Sequence, residues 1–230
     1  MLSAFFRAVA DFRNPALSRM IAIGLALTVT SFLVLWGVLA VVVGHLSLFG
    51  SAYLNWLVDL LGAVAVLVLS WLLFPAVSTL VMGFFLDRIA SAVEVANYPE
   101  LGPARPVRAT VVLAATARLM SLAILLNILV LPAYLLLPVA NVFVFLAVNG
   151  YLFGREYFEV VALRRIDPIL ARQTRRRFAL RLFLGGVLIA GVFAVPLVNL
   201  IAPVFATALM VHIFQALRPR DPGFITSSTR

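Results

Sequence analysis

NGYLFGREYFEVVALRRIDPILARQTRRRFALR, residues 149–181, is the longest polar stretch of a chain that is otherwise mostly apolar. It contains eight of the eighteen arginines and three of the nine acidic residues. Arg155 and Glu159 are four residues apart, a spacing that predicts an ion pair on one helix face. The Asp-Pro pair at residues 167–168 is predicted to end that helix and to begin another, which carries a cluster of arginines. The stretch therefore predicts arginine-rich cytoplasmic helices over residues 154–181, between membrane segments.

The composition of the whole chain predicts an all-α integral membrane protein. Hydrophobic residues make up 64% of it and charged residues 12%, and its mean hydropathy is +1.12, whereas soluble domains have about 45–50% apolar and about 25% charged residues. The absence of cysteine excludes disulfides, thiolate metal sites and cysteine nucleophiles. Because no nucleophile is paired with a base, we expect no enzymatic activity, no cofactor and no metal site.

The first half of the chain predicts two long membrane helices with amphipathic flanks. Residues 1–13 have the spacing of a short helix in the membrane interface, and residues 14–43 form the first long helix. Residues 57–98 are predicted to form a second long helix, kinked at Pro75, with an amphipathic extension. A loop rich in proline follows. These segments are treated as parts of a single membrane domain, residues 1–230.

The second half predicts two apolar helical hairpins, residues 109–153 and 182–217, with a polar tail over 218–230. Two prolines bracket the middle of each hairpin: Pro132 and Pro138 in the first, Pro196 and Pro203 in the second. The uninterrupted arms, 119–131, 139–153, 182–195 and 204–217, are shorter than the about 20 residues of a full span. They predict two half-membrane, re-entrant hairpins tipped by proline. The alternative is six ordinary spanning helices, one of which carries Arg118 inside the bilayer.

Polar residues in these hairpins are candidates for a pathway through the membrane. Arg118 lies in the first arm, and asparagines lie near the tips at Asn127, Asn141 and Asn199. Asparagine amides could contact a permeating ion or satisfy backbone groups that proline leaves unpaired.

All eighteen basic residues are arginines, and the net charge is +9. Guanidinium groups bind oxyanions in a planar, two-pronged geometry, but arginines beside membrane helices also bind lipid phosphates. Arginine is absent from the connector over residues 44–56 and frequent in the other loops, which predicts cytoplasmic termini. Few aromatic residues are interleaved with the basic cluster, so nucleic acid is not an expected partner.

The start of the first long helix is a candidate anion site. Asn14 and Pro15 are typical of a helix N-cap and first turn. The backbone N–H groups of that turn, a hydroxyl and a guanidinium could hold an anion, and the residues concerned are Ala16, Leu17, Ser18 and Arg19. The alternative is an ordinary capped helix whose arginine marks the cytoplasmic side.

The segment GREYFE, residues 154–159, with the arginines after it and the VPLVNLIAPV hairpin, resembles the CysZ sulfate permease and etoposide-induced membrane protein superfamily. The resemblance covers about residues 5–217. It implies two long membrane helices, two half-membrane hairpins, a homo-oligomer, and sulfate uptake across the bacterial inner membrane for cysteine synthesis. The family's sulfate site is a Gly-Leu/Ile-Arg-Arg turn, to which residues 16–19 correspond by position. Here alanine and serine replace the glycine and the first arginine.

The expected function is therefore a permease or channel for sulfate or a related oxyanion. The alternative is a non-transporting oligomeric membrane scaffold that binds anionic lipid or a cytoplasmic partner.

Overall fold

The structure, a computed structural model, describes residues 1–44, 56, 60–64, 66–68, 70, 74, 77, 81–136, 141–196 and 198–218. The described part is helical and contains no strand, which confirms the all-α prediction. Its helices are α1 (Leu2–Ala10), α2 (Pro15–Gly44), α3 (Leu86–Asn97), α4 (Ala109–Leu136), α5 (Asn141–Ala162), α6 (Pro168–Arg177), α7 (Ala179–Phe193) and α8 (Ala202–Leu217). The chain forms two compact units, residues 19–85 and residues 1–18 with 86–230.

The unit formed by residues 19–85 contains most of α2, the predicted first long helix. The Trp36 indole N–H donates to the Ser70 hydroxyl over 2.7 Å, and the rings of Phe32 and Phe74 lie 5.2 Å apart. Met82 is fully buried. The predicted second long helix falls largely outside the described residues, as does its kink at Pro75.

The other unit is built around α8. This helix is buried along its length except at Ala216, and it packs against α1, α3, α5 and α7. A helix that is apolar on all sides must be covered on all sides. Helices α1 and α3 supply part of that cover, so two helices predicted at the membrane interface also complete the core.

Helices α5 and α7 cross at close range because glycines line both sides of the contact. A Cβ atom added at Gly186 would overlap the carbonyl oxygen of Gly150, and one added at Gly154 would overlap the carbonyl oxygen of Leu182. Only hydrogen fits at these two positions. The crossing holds the part of α5 that precedes Arg155 against the first half of α7.

The first hairpin differs from its prediction. Helix α4 is continuous through Arg118 and Pro132, so the prediction that its arm is confined to residues 119–131 is wrong. Arginine is a good helix former, and a proline in a membrane helix removes one hydrogen bond without having to end the helix. The length of α4 agrees with the alternative of an ordinary span. Pro138 lies outside the described residues.

The second hairpin has the short arms that the sequence predicts. Helices α7 and α8 contain 15 and 16 residues, fewer than the about 20 of a full span. Pro196 lies in the turn between them, and Pro203 lies in the first turn of α8. That these arms enter the membrane only halfway remains a prediction.

Among the described residues, two helical segments are long and apolar enough to cross a membrane. They are Pro15–Val38 in α2 and Ala109–Ala133 in α4, with hydropathies of 2.2 and 2.0. Within the unit formed by residues 1–18 and 86–230, α4 packs mainly on α5. Its large apolar side chains point outward, with Leu129 71% exposed. Such a surface suits contact with lipid or with another copy of the chain.

Candidate functional site

An arginine-lined cavity of about 850 Å³ lies among α4, α5, α6 and α7. Four guanidinium groups line it, from Arg118 on α4, Arg155 on α5, and Arg175 and Arg176 on α6. The remaining wall includes Ser121, Tyr151, Gly154 and apolar side chains of α7. Both the crossing at Gly154 and the turn between α6 and α7 position these arginines around one space.

Arg155 is the most buried of the four and is only partly satisfied. Its residue is 6% exposed, and its Nε lies 3.2 Å from Glu159 Oε1, as the spacing of the two residues predicts. One of its terminal nitrogens, Nη2, is buried without a hydrogen-bond partner among the described residues. A buried guanidinium donor without an acceptor is unfavourable, so an acceptor bound in the cavity would stabilise it.

Glu159 is shared between arginines of two helices. Arg175 Nε lies 3.8 Å from the same Oε1 atom that contacts Arg155. Burial lowers the pKa of Arg175, and the nearby charges of Arg155 and Arg118 lower it further, while Glu159 opposes the change. One carboxylate thus contacts two of the four guanidinium groups, and the cavity retains an excess of positive charge. Guanidinium groups in such an arrangement have the chemistry to bind an anion.

Arg118 also lines a second, smaller cavity of about 260 Å³. Thr110 of α4, Glu159 of α5 and Arg172 of α6 line this space as well. The two cavities share Arg118, so its side chain lies where an anion leaving one would meet the other. Of the predicted pathway residues, Arg118 is the one that the structure brings to a cluster of guanidinium groups.

The predicted asparagines lie elsewhere. Asn127 is exposed on α4 and its amide donates to the carbonyl oxygen of Ala123 over 2.8 Å. Asn141, at the start of α5, and Asn199, in the turn before α8, each have a buried Oδ1 without a hydrogen-bond partner among the described residues. None of the three lines the arginine cavity.

The first turn of α2 forms a hydrogen-bonded cap. The N–H of Ala16 donates to Asn14 Oδ1 over 2.9 Å, and the Ser18 hydroxyl donates to the carbonyl oxygen of Pro15 over 3.1 Å. Leu17 is fully buried, whereas Arg19 is exposed. The N–H of Ala16 and the hydroxyl of Ser18, two donors of the predicted anion site, are thus already hydrogen-bonded within the cap. An anion bound there would have to compete with Asn14 Oδ1 and the Pro15 carbonyl oxygen.

The sequence identified the basic cluster on α6 but not its inward-facing members. Arg175 and Arg176 line the cavity together with Tyr151, and nothing in their spacing distinguishes them from the neighbouring arginines. A signal was available in Gly150 and Gly154, because a Gly-x-x-x-Gly spacing predicts a close helix contact.

Among the described residues, no group of histidine and acidic side chains could hold a metal ion. In a comparison with known protein families, residues 4–203 match the family described as sulfate transporter CysZ/etoposide-induced protein 2.4. Comparisons with curated proteins and with solved structures gave no match.

Proposed function

Because the chain belongs to the sulfate transporter CysZ/etoposide-induced protein 2.4 family, we propose that it is a membrane permease for sulfate or a related oxyanion. The observation that carries the proposal is the arginine cavity among α4, α5, α6 and α7. A tetrahedral oxyanion accepts several hydrogen bonds at once, which suits guanidinium groups that converge from three helices.

Glu159 is proposed to keep the cavity stable between ions. Its carboxylate accepts from Arg155 and faces Arg175, so part of the positive charge is compensated in the empty state. An arriving oxyanion would take over contacts to these arginines and would satisfy the unpartnered Nη2 of Arg155. Because the carboxylate competes for the same donors, the anion is held weakly enough to leave again.

The proposed setting is the bacterial inner membrane, where uptake of the oxyanion would feed sulfur assimilation and cysteine synthesis. The chain would cross the membrane several times, with its arginine-rich helices on the cytoplasmic side. The exposed apolar side chains of α4 would face lipid or a second copy in a homo-oligomer. The turn containing Ala16, Leu17, Ser18 and Arg19 would contribute a first contact for the anion, mainly through the exposed guanidinium.

The test is the flux of radiolabelled sulfate into liposomes that contain the purified full chain. We expect Arg118→Met to reduce flux about tenfold or more, because a hydrogen bond to a charged group contributes about 1.5–3 kcal/mol. Arg108→Met is the matched control, since it removes the same charge from an exposed residue that lines neither cavity. Equal flux in both variants would reject the cavity as the route. Arg19→Ala, measured alongside, tests the turn of α2 separately.

A scaffold without transport activity is the second candidate, favoured by the exposed apolar surface of α4. It predicts no flux above empty vesicles from protein that elutes as a single folded species. Saturable stabilisation by sulfate that Arg118→Met weakens favours the permease, whereas sulfate stabilisation that is unaffected by Arg118→Met, or its absence, favours the scaffold.

A further inference from the structure

A third cavity, also basic, lies on the α1 side of α8. None of its described lining residues also lines the arginine cavity. Its volume is about 550 Å³. Arg7 of α1 and Arg181 of α7 supply two guanidinium groups, Ser3 supplies a hydroxyl, and Gln215 of α8 lies deeper in the wall. The two arginines are exposed, which leaves them accessible from outside the helix bundle.

Gln215 has an unfulfilled hydrogen-bonding requirement in this cavity. The residue is 8% exposed, and its amide nitrogen Nε2 is buried without a hydrogen-bond partner among the described residues. An amide nitrogen is a donor only. A buried donor that lines a cavity without a protein acceptor is a place where a bound acceptor would be stabilised.

Among the described residues that line this cavity, none carries a carboxylate that could supply the acceptor. The buried acid Asp11, which contacts His212 of this wall, is already engaged: its Oδ1 accepts from the Asn97 amide over 2.8 Å, and its Oδ2 lies 2.8 Å from His212 Nε2. The other ring nitrogen of His212 lies 2.9 Å from the Tyr98 hydroxyl. The acceptors of Asp11 and His212 behind this wall are therefore used. Arg7 contacts the Tyr98 hydroxyl, so Arg181, the other donors of Arg7 and the Gln215 amide are the groups that can meet a ligand.

Tyr98 does not contribute a negative charge to this wall. Burial raises the pKa of its hydroxyl, although the adjacent Arg7 guanidinium opposes the change. The hydroxyl therefore remains protonated around neutral pH, and the cavity carries the charge of its two arginines without compensation from the tyrosine.

The outer face of α1 indicates where the cavity lies. Leu2 is 74% exposed and Phe6 62% exposed, on the same short helix that carries Arg7. A helix with exposed large apolar side chains beside a guanidinium is typical of the level at which lipid headgroups meet acyl chains. Phosphate groups are concentrated at that level.

We propose that this cavity binds a tetrahedral oxyanion of the phosphate class, either free or carried on a lipid headgroup. Arg7 and Arg181 contact its charged oxygens, and the Gln215 amide donates to the oxygen that points toward α8. The anion thereby links α1, α7 and α8 at a site separate from the proposed transport route.

The experiment measures the thermal stability of the full chain carrying Arg118→Met, a background that weakens the proposed transport site. One arm titrates inorganic phosphate in lipid-free detergent, with chloride at equal ionic strength as the screening control. The other arm compares nanodiscs of phosphatidylcholine with nanodiscs that also contain phosphatidylglycerol. Arg181→Met and Gln215→Leu are the test variants, and Arg108→Met is the matched control.

We expect saturable stabilisation in at least one arm, with an apparent Kd about tenfold or more weaker in Arg181→Met. Gln215→Leu weakens it in the same direction, and Arg108→Met leaves it unchanged. An effect confined to the phosphate arm supports a free oxyanion, and one confined to phosphatidylglycerol supports a lipid headgroup. No stabilisation of the parent protein, or equal stabilisation of all variants, overturns the proposal.

Arg7→Met provides a further test if Gln215→Leu does not fold, because Arg7 is exposed and its replacement leaves the core intact. The result is independent of sulfate flux. A permease that lacks the phosphate site at Arg7 and Arg181 would still lose flux in Arg118→Met. Its response to phosphate, if any, would not depend on Arg181.

Discussion

Glu94 is the acidic residue on which two arginines converge, and it is only 2% exposed. Arg165 binds both of its carboxylate oxygens, Nε to Oε1 over 3.1 Å and Nη2 to Oε2 over 2.7 Å. Arg164 Nη2 lies 3.4 Å from Oε2. This cluster joins α3 to the turn after α5, and it explains why two of the arginines in residues 149–181 serve the fold rather than an anion.

At the residue scale we expect Glu94→Gln to destabilise the protein by about 3–5 kcal/mol, because it removes the buried carboxylate that pairs with the half-buried Arg165 and the buried Arg164. Thermal unfolding in detergent measures the loss. Asp87→Asn is the control, since the Asp87 side chain is 81% exposed and lies 3.7 Å from Arg164, a geometry that contributes less than about 1 kcal/mol. Similar losses in the two variants would contradict this account.

The α5–α7 crossing is the element that positions Arg155 in the arginine cavity. The glycines at the contact let the two backbones approach, and the approach brings Arg155 to the cavity wall beside Leu182 and Phe183 of α7. An increase in the spacing of these helices would move Arg155 away from the cavity wall that α7 forms. The geometry of the arginine cavity thus depends on residues that carry no charge.

At the element scale we expect Gly186→Ala to destabilise the protein by about 1–3 kcal/mol or more, since the added methyl meets the Gly150 carbonyl oxygen, a backbone atom that cannot move aside. Gly191→Ala, on the same helix, has open space at its Cβ position. Its expected effect is a gain of up to about 1 kcal/mol from helix propensity. The yield of monodisperse protein and its unfolding midpoint measure both, and a well-folded Gly186→Ala would show that the helices separate easily.

The sequence predicts where individual helices begin and end better than it predicts which helices pack against one another. The first long helix, predicted over 14–43, spans Pro15–Gly44, and the amphipathic helix before the proline-rich loop spans Leu86–Asn97. Period and capping signals are local, so they are visible in the sequence. The sequence predicts a short arm because Arg118 and Pro132 interrupt the apolar pattern. The structure has a continuous α4 because arginine is a good helix former and a single proline removes only one helix hydrogen bond. The arginine cavity was missed because its members lie on three helices whose adjacency no local pattern encodes.

At the scale of the whole molecule, helices from distant parts of the chain meet around Asp11. Its carboxylate contacts Asn97 of α3 and His212 of α8, the latter across 201 residues of sequence. Near them, Phe5 of α1 packs edge-on against Phe205 of α8 with ring centroids 5.5 Å apart. Helix α1 is therefore fixed to the centre of its unit by the polar contact of Asp11, its C-terminal neighbour, and by the aromatic contact of Phe5.

We expect Asp11→Ala to destabilise the unit by about 1–3 kcal/mol, because it removes the acceptor of a buried histidine and of an asparagine amide. Limited proteolysis should then cut within α1 at a lower protease concentration. Glu100→Ala, which removes the same charge from an exposed residue, should leave the cleavage pattern unchanged. Equal cleavage of the two variants would show that the Asp11 contacts do not hold α1.

The contact between Asp11 and His212 also constrains the timing of biosynthesis. Helix α1 and the adjacent Asp11 leave the ribosome long before α8. The Asp11 carboxylate therefore meets His212 only after every intervening segment has been made. Until then α1 can rest on the bilayer surface but cannot dock. A chain interrupted before α8 would present a loose amphipathic helix to quality-control proteases, and docking of α1 therefore reports that synthesis has reached the final helix of the bundle.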